Sequence, residues 1–327
     1  MKSMIFIDRT QTNPYFNIAA EEYVLKNISH NVFMLWINEP SVIIGKHQVA
    51  MAEANIIYTN GKNIPVIRRI SGGGTVYHDK GNLNYSLIVK GKRGQLVDYK
   101  KYAGTIIRAL SKFSITAELQ GKSNLVIAGK KFSGNAEHVF HDRVLHHGTL
   151  LYNTCLDELR KCIRPAHNDY NDKSIRSVES NITNLKLHLP PHIDMDGLKG
   201  LIAQQVKEDY MDLENYQFSD HDIAEINRLT ENKYTSNEWN FAYSPKYELK
   251  REIMLGNKMI RYEMSCDKGI IQYLAFYKNG EKVFSGLSKK LLNKLHHPAE
   301  IINVLKNESL SFGEMNIDAR QLTESLF

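Results

Sequence analysis

The sequence predicts an α+β protein with a large domain followed by a small one. Three observations carry that reading. Short apolar runs come in series with helical segments between them, rather than in strict strand–helix alternation, which argues against a doubly wound sheet. The chain has 327 residues, and at roughly 150 residues per domain that length suggests two. Residues 231–245 are polar and aromatic without a period and read as a linker, so 1–240 form the large domain and 246–327 the small one.

Taken in order, residues 16–25 carry apolar side chains at helical spacing among good helix formers. Residues 32–37 and 41–44 are short buried strands broken by Asn38-Glu39-Pro40. Residues 64–70 form a strand that runs straight into Ser71-Gly72-Gly73-Gly74, and 84–89 form another. Residues 98–113 are an amphipathic helix with Tyr102, Ile106 and Leu110 on one face. A meander follows: 125–128, a Gly129-Lys130 turn, 131–135 and 150–152. Helices are expected near 195–210 and 221–230. Residues 247–277 alternate and turn at Gly256-Asn257 and Asp267-Lys268-Gly269, and a last helix begins near Pro298.

Composition narrows the function classes. Hydrophobic residues at 42% and charged residues at 24% exclude disordered and fibrous chains. The net charge of +6 is too mild to argue for nucleic acid, but it suits a phosphate-bearing or acidic partner through steering. Three cysteines, Cys155, Cys162 and Cys266, form no disulfide framework and point to a reducing compartment. Residues 1–9 lack the apolar core of a signal peptide, and no apolar run approaches the roughly 20 residues of a membrane helix. A cytoplasmic protein is expected.

Three segments carry chemistry. In Arg68-Arg69-Ile70-Ser71-Gly72-Gly73-Gly74-Thr75-Val76-Tyr77-His78-Asp79, consecutive glycines after a strand let backbone N–H groups approach a ligand, and two arginines supply cationic forks. The run suggests an anion cradle, although by itself it also fits a tight turn among surface charges. It is neither a P-loop nor a dinucleotide fingerprint. In Gly129-Lys130-Lys131-Phe132-Ser133-Gly134, adjacent strand lysines must point to opposite faces. One of them can therefore aim at a site, or both can belong to a solvated hairpin tip. His138, His141, His146 and His147 invite a zinc reading, but a strand-and-loop context without cysteine favours packing or hydrogen bonding to a ligand. Cys155 follows closely. A nucleophilic thiol needs a partner that lowers its pKa, and an inert buried thiol is the plainer alternative.

The ordered set Arg68-Arg69-x-Ser71-Gly72-Gly73-Gly74-x-Val76-x-His78-Asp79, Gly81-Asn82, Lys131-x-Ser133-Gly134-x-Ala136 and His146-His147-Gly148-Thr149-Leu150 resembles the lipoate–protein ligase A family. Flanking segments agree: Phe16-Asn17-Ile18-Ala19-x-Glu21-Glu22, Pro40-Ser41-Val42-Ile43-Ile44-Gly45-Lys46-x-Gln48, Thr183-Asn184-Leu185 and Glu238-Trp239-Asn240-Phe241. The resemblance spans essentially the whole chain. It implies a mixed-sheet catalytic domain of the biotin/lipoate ligase type with a small α+β accessory domain, residues 231–245 serving as a hinge. It implies two steps: ATP and lipoate give lipoyl-AMP, then a lysine of an acceptor protein takes the acyl group. The acceptor would be the lipoyl domain of a 2-oxo acid dehydrogenase E2 subunit or a glycine cleavage H protein.

Residue by residue, the resemblance gives Lys131 the catalytic role. It places ATP on Arg69, Gly74, Thr75, Val76, Tyr77 and Lys131, and lipoate on Ser71, Gly72, Gly73, His78, Lys131 and His147. Three positions depart from the family pattern. Asn124 stands where a carboxylate usually helps hold Mg²⁺, so the metal would rest mainly on phosphates. His138 replaces a common arginine, and Glu179 and Asn181 stand where basic residues are common. These departures suggest a narrow acceptor range. The other readings are an ATP-independent octanoyl or lipoyl transferase working through Cys155, and a non-catalytic lipoate- or nucleotide-binding paralogue.

Overall fold

The computed structural model describes residues 4–91, 94, 96–163, 169–210, 213–255, 257–306, 311, 312, 315, 316 and 319–327. Gly256 of the expected Gly256-Asn257 turn lies outside them. The chain begins β1 (Met4–Asp8), α1 (Pro14–Asn27), β2 (Asn31–Ile37). Then come β3 (Ser41–Ile44), α2 (Ala50–Glu53), α3 (Ile56–Gly61), β4 (Val66–Arg68) and β5 (Val76–His78). The next group is β6 (Asn82–Lys90), α4 (Tyr99–Ser111), β7 (Ala117–Gln120), β8 (Asn124–Ile127), β9 (Lys130–Phe140) and β10 (Arg143–Leu151). After these run α5 (Leu156–Cys162), β11 (Tyr170–Asp172), α6 (Met195–Tyr210), β12 (Leu213–Asn215) and α7 (Asp220–Leu229).

An eight-stranded mixed sheet in the order β12-β1-β2-β6-β10-β9-β8-β7 forms the frame. β1 is parallel to both its neighbours, and the remaining pairs are antiparallel. Helices α4 and α6 cover one face through Tyr102, Ile106, Leu198 and Ile202, packed on Phe33, Leu83, Tyr85 and Leu87. Helix α1 covers the other, with Ile18 and Val24 against Met34, Trp36 and Ile88. Beside α1 a three-stranded sheet in the order β4-β3-β5 lies over the same face.

Local chemistry explains these elements. Asn13 caps α1, its side chain accepting from the Tyr15 and Phe16 N–H groups, and Pro14 opens the helix. Helix α7 begins with a Ser219/Asp222 capping box. Central strand β6 is buried from Asn82 to Val89, yet polar Asn82, Asn84 and Ser86 alternate with Leu83, Tyr85 and Leu87. One face of it therefore meets an apolar core and the other a polar space.

Two expectations need correction. β9 and β10 run well past the short strands read from sequence, so His138, His146 and His147 lie within strands. The expected linker is ordered: helical turns Thr230–Tyr234 and Glu238–Ala242 bury Tyr234 and Asn240. Its aromatic residues are packing partners for the large sheet's flank, and for that reason the segment shows no surface period.

The C-terminal part is an antiparallel sheet of β11, β13 (Tyr247–Leu255), β14 (Lys258–Asp267), β15 (Ile270–Lys278) and β16 (Glu281–Val283). Helices α8 (Ser285–Leu291), α9 (Pro298–Lys306) and α10 (Ala319–Ser325) accompany it. Strand β11 comes from within the first 240 residues and pairs with β13. Among the described residues no helix is long and apolar enough to cross a membrane.

Candidate active site

Between the polar face of the large sheet and the small β4-β3-β5 sheet lies a cavity of about 280 Å³. Its described lining contains Arg69, Lys131 and Arg176 and no carboxylate. Three cations without an acidic residue make it a place for an anion.

The triglycine turn forms one wall, and the two arginines before it part company. Arg69 is buried and spends its guanidinium on the loop: Nε donates to Ser71 Oγ (2.9 Å), Nη1 to the Ile43 carbonyl (3.1 Å), and Nη2 to the carbonyls of Gly72 (2.6 Å) and Gly74 (2.8 Å). It still lines the cavity, bringing its charge there. Burial pushes it down to about 10. Gly73 has a φ of +89°, and a Cβ there would lie 3.0 Å from Arg69 Nη2, so this position requires glycine. Arg68 turns the other way. It donates to the carbonyls of Gly45, Lys46, Gln48, Trp239 and Asn240, and offers no fork to a ligand. The expectation of two cationic forks is corrected to one cationic charge at the cavity, because the guanidinium groups of both arginines are engaged with carbonyls and Ser71, and of the two only Arg69 lines the cavity.

On the opposite wall strand alternation separates the lysines: Lys130 is exposed and Lys131 half-buried in the cavity lining. The Lys131 backbone is held by residues 181–183, its N–H donating to the Asn181 carbonyl (2.8 Å) and its carbonyl accepting from Thr183 (2.9 Å). A Cβ at Gly134 would lie 3.3 Å from Lys131 Nζ, so that glycine makes room for the side chain. Burial, then the Arg69 charge, pushes the ammonium pKa down. Asn124 pairs with Gly134 across β8 and β9 and also lines the cavity. It brings a neutral amide. Among the described residues no group of three His, Cys, Asp or Glu is placed to hold a metal ion.

His147 sits in the floor within a buried relay. Its Nδ1 faces Glu21 (2.8 Å), which also accepts from Ser86 Oγ (2.6 Å), and its Nε2 faces Ser71 Oγ (2.6 Å). A carboxylate at Nδ1 calls for a proton there, and Ser71 Oγ is the partner of Nε2. The relay ends on Arg69 and ties helix α1 to the triglycine turn. His78 lines the cavity beside Trp36, ring centroids 5.7 Å apart. Burial, then the Arg69 charge, pushes it down to about 3, so it is neutral.

Val76 and His78 line the cavity, whereas the Tyr77 side chain points to the far side of β5, into a core with Val42 and Met51. Tyr77, expected at the nucleotide, is therefore not in the cavity lining. Ser71 and Gly72 lie behind the wall that Gly73 and Gly74 present. Glu179 is exposed, and His138, pushed down to about 4 first by burial and next by Lys46, lies off the lining. Cys155 is exposed, outside the cavity, with its N–H on Asp79 (2.8 Å), while burial drives Cys162 up to about 12.

Sequence reasoning missed the lid over Thr75. Gln48 Nε2 donates to the Ile175 carbonyl (3.1 Å), Thr75 N–H donates to Ser177 Oγ (2.9 Å), and the Ser177 hydroxyl donates to buried Glu53. Arg176 is paired with Asp172, and its Nη1 is buried without a partner among the described residues. No periodicity announces this segment. Asn84 and Thr149 were also missed, though polar residues at every second position of a buried strand were a signal for them.

A family model described as the lipoyl protein ligase A/B catalytic domain matches residues 13–207. Lipoate–protein ligase 1 of Staphylococcus aureus is 32% identical over 315 residues, covering 95% of this chain and 96% of that protein. A solved structure of lipoate-protein ligase A bound with ATP superposes with a TM-score of 0.60 at 21% identity, covering 74% of this chain and 99% of that one. A bipartite lipoate protein ligase from Thermoplasma acidophilum, studied with its E2 lipoyl domain, gives 0.64 at 20% identity, covering 78% and 100%. These structures share the fold.

Proposed function

Since the chain belongs to the lipoyl protein ligase A/B catalytic-domain family, we infer that it is an ATP-dependent lipoate–protein ligase. The observation that carries the reading is the half-buried Lys131 in the wall of a cavity that the triglycine turn also lines and whose described charged lining residues are all cationic.

In the first step a lipoate carboxylate oxygen bonds to the α-phosphorus of ATP, the α–β phosphoanhydride breaks, and pyrophosphate leaves. In the second, the amine of an acceptor lysine attacks the acyl carbonyl, the amide forms, the amine gives up a proton, and AMP leaves. Two anions must meet, so their repulsion has to be offset. Lys131 and Arg69 supply positive charge, and the Gly73–Gly74 backbone supplies N–H donors that need no reorganisation. Thr75 and Val76 fit the nucleotide beside them, and Arg176, whose Nη1 has no partner among the described residues, fits the phosphates. Gly73, His78 and His147 fit the lipoyl group, with Ser71 and Gly72 supporting from behind. The residues present do not fit a protein-built Mg²⁺ cage, because no carboxylate lines the described cavity and Asn124 brings only a neutral amide. The phosphates of the nucleotide would hold the ion.

The proposed acceptor is a lipoyl domain of an E2 subunit or a glycine cleavage H protein. The family and the acidity of such acceptors as a class support this beside a net charge of +6. A cytoplasmic site of action agrees with three free cysteines and an ATP requirement. The transferase reading is not favoured, as Cys155 lies outside the cavity.

Lys131→Ala tests the reading. Losing one preorganised donor to developing charge typically costs about 10²–10³ in rate, so lipoate-dependent exchange of pyrophosphate into ATP should nearly vanish. Exchange close to the wild-type rate would remove Lys131 from the mechanism. Mass spectrometry of candidate acceptors, with ATP omitted in parallel, tests the overall reaction.

A further inference from the structure

Four polar side chains interrupt the apolar core on the face of the large sheet that α4 and α6 cover. Tyr85 on β6, Asn135 and Glu137 on β9, and His146 on β10 are joined in one network. Tyr85 and His146 are buried, and Asn135 also lines the cavity. For packing alone a phenylalanine would serve at position 85, since the ring stacks on Phe33 (centroids 6.2 Å apart) in a core with Leu83 and Leu87. The hydroxyl is what needs an explanation, because a buried polar group is unfavourable unless its partners offset the lost water.

The network fixes what each atom does. The Ser123 carbonyl can only accept, and Asn135 Nδ2 donates to it (2.9 Å). That sets the orientation of the Asn135 amide, so its Oδ1 accepts from the Tyr85 hydroxyl. His146 Nε2 stands 3.3 Å from the same hydroxyl, and its ring is held at Nδ1 by Glu137 (2.9 Å). Tyr99 and Tyr102 of α4 wall in that ring, with centroids 5.7 and 5.5 Å away. Tyr85 and Asn135 are not on adjacent strands: β10 runs between them, and its Gly148 pairs with both. A Cβ on Gly148 would lie 2.3 Å from Asn135 Oδ1 and 2.7 Å from the Tyr85 ring. Position 148 therefore requires glycine, and the two side chains meet over its bare backbone. Together they bridge two strand spacings, roughly 10 Å.

The bridge ends in the cavity wall. Ser123, Asn124, Lys131, Gly134 and Asn135 line one stretch of it. Asn124 pairs with Gly134, and Gly134 leaves the space beside which Lys131 Nζ lies. The Ser123 carbonyl accepts from both the backbone N–H (2.9 Å) and the side chain of Asn135. The place of Ser123 and Asn124 beside Lys131 thus depends on an amide that Tyr85 holds.

We propose that Tyr85 is a positioning residue for the adenylating step: through Asn135, its hydroxyl keeps Ser123 and Asn124 in register with Lys131. The inference rests on the ligase reading of the cavity. Tyr85 itself does not line the cavity, so its hydroxyl governs the alignment of the step at Lys131 and not how tightly the acid binds.

Tyr85→Phe removes the hydroxyl alone. Its kcat for lipoate-dependent exchange of pyrophosphate into ATP should fall about tenfold, on the scale of one buried hydrogen bond, while KM for lipoate and a cooperative melt are kept. Ile106→Val loosens the same core outside the network, and it should lower the melting temperature without that loss of kcat. In an Asn135→Ala background, Tyr85→Phe should have no further effect, because the hydroxyl acts through that amide. A wild-type kcat in Tyr85→Phe overturns the inference and leaves the ligase reading intact. The same holds if the tenfold loss repeats in full on top of Asn135→Ala, or if Ile106→Val loses as much kcat as Tyr85→Phe. Wild-type protein that gives no lipoate-dependent exchange removes both.

Discussion

Arg69 illustrates how a side chain can serve a site through its neighbours. Its donors reach Ser71 Oγ and three carbonyls around the triglycine turn, a divergent set that a planar fork can span. A lysine keeps the charge but has one nitrogen. Arg69→Lys is therefore expected to lower kcat/KM for ATP by about 10²-fold through a loosened loop, while circular dichroism stays near wild type. A variant with unchanged kinetics would show that charge alone suffices. The local residue pattern could place a cation here but not choose between neighbours; the resemblance alone singled out Arg69. Which arginine faces the cavity depends on carbonyls of Gly45, Gln48 and Asn240 that surround Arg68 and come from distant parts of the chain. The lysine pair was more legible, because strand alternation required a choice and the Ser133-Gly134 pair beside Lys131 leaves space for its side chain.

Among the elements, the triglycine turn and its surroundings act as one piece. A Cβ at Gly45 would lie 2.1 Å from the Gly73 carbonyl oxygen, a backbone atom that cannot swing aside. Gly45→Ala should therefore displace the turn, lowering stability by about 1–3 kcal/mol and weakening ATP binding together. Thermal melts with and without nucleotide check this, and a variant that melts and binds like wild type would refute the contact. The lid over Thr75 makes the complementary case. Glu53 holds Ser177 across 124 residues of chain, so Glu53→Gln should loosen the segment and speed its cleavage in limited proteolysis; cleavage at the wild-type rate would show that Glu53 does not hold it. Strands and helices with a clear period were legible because each follows from side chains a few positions apart. The lid was not, because its order comes from long-range hydrogen bonds to Gln48, Glu53 and Thr75 in a segment with no period of its own.

At the scale of the whole molecule, buried polar groups join parts that local patterns treat as separate. Arg68 ties the cavity wall to the turn at Glu238–Ala242 through Trp239 and Asn240, which is why a segment that looks like a linker is packed. Tyr23 and Tyr216 hydroxyls donate to Asp222, fastening α7 to α1 and to the segment after β12. These groups also set the response to acid. His78 and His138 are pushed down to about 3 and about 4, mainly by burial, against about 6.5 in an unfolded chain. Below pH 6.5 the unfolded chain therefore binds protons that the fold refuses, and stability falls as pH drops from about 6.5 toward 4. Asp222 is pushed down to about 2 by hydroxyl and N–H donors that outweigh its burial. Its contribution is complete above about 4 and is lost as pH falls toward 2. Urea unfolding as a function of pH should thus show a slope through both windows. His138→Gln should make the upper slope shallower, the His78 share remaining, and leave the lower, and Asp222→Asn should flatten the lower and leave the upper. Two mutant curves that run parallel to wild type across both windows would mean that other groups carry the acid response.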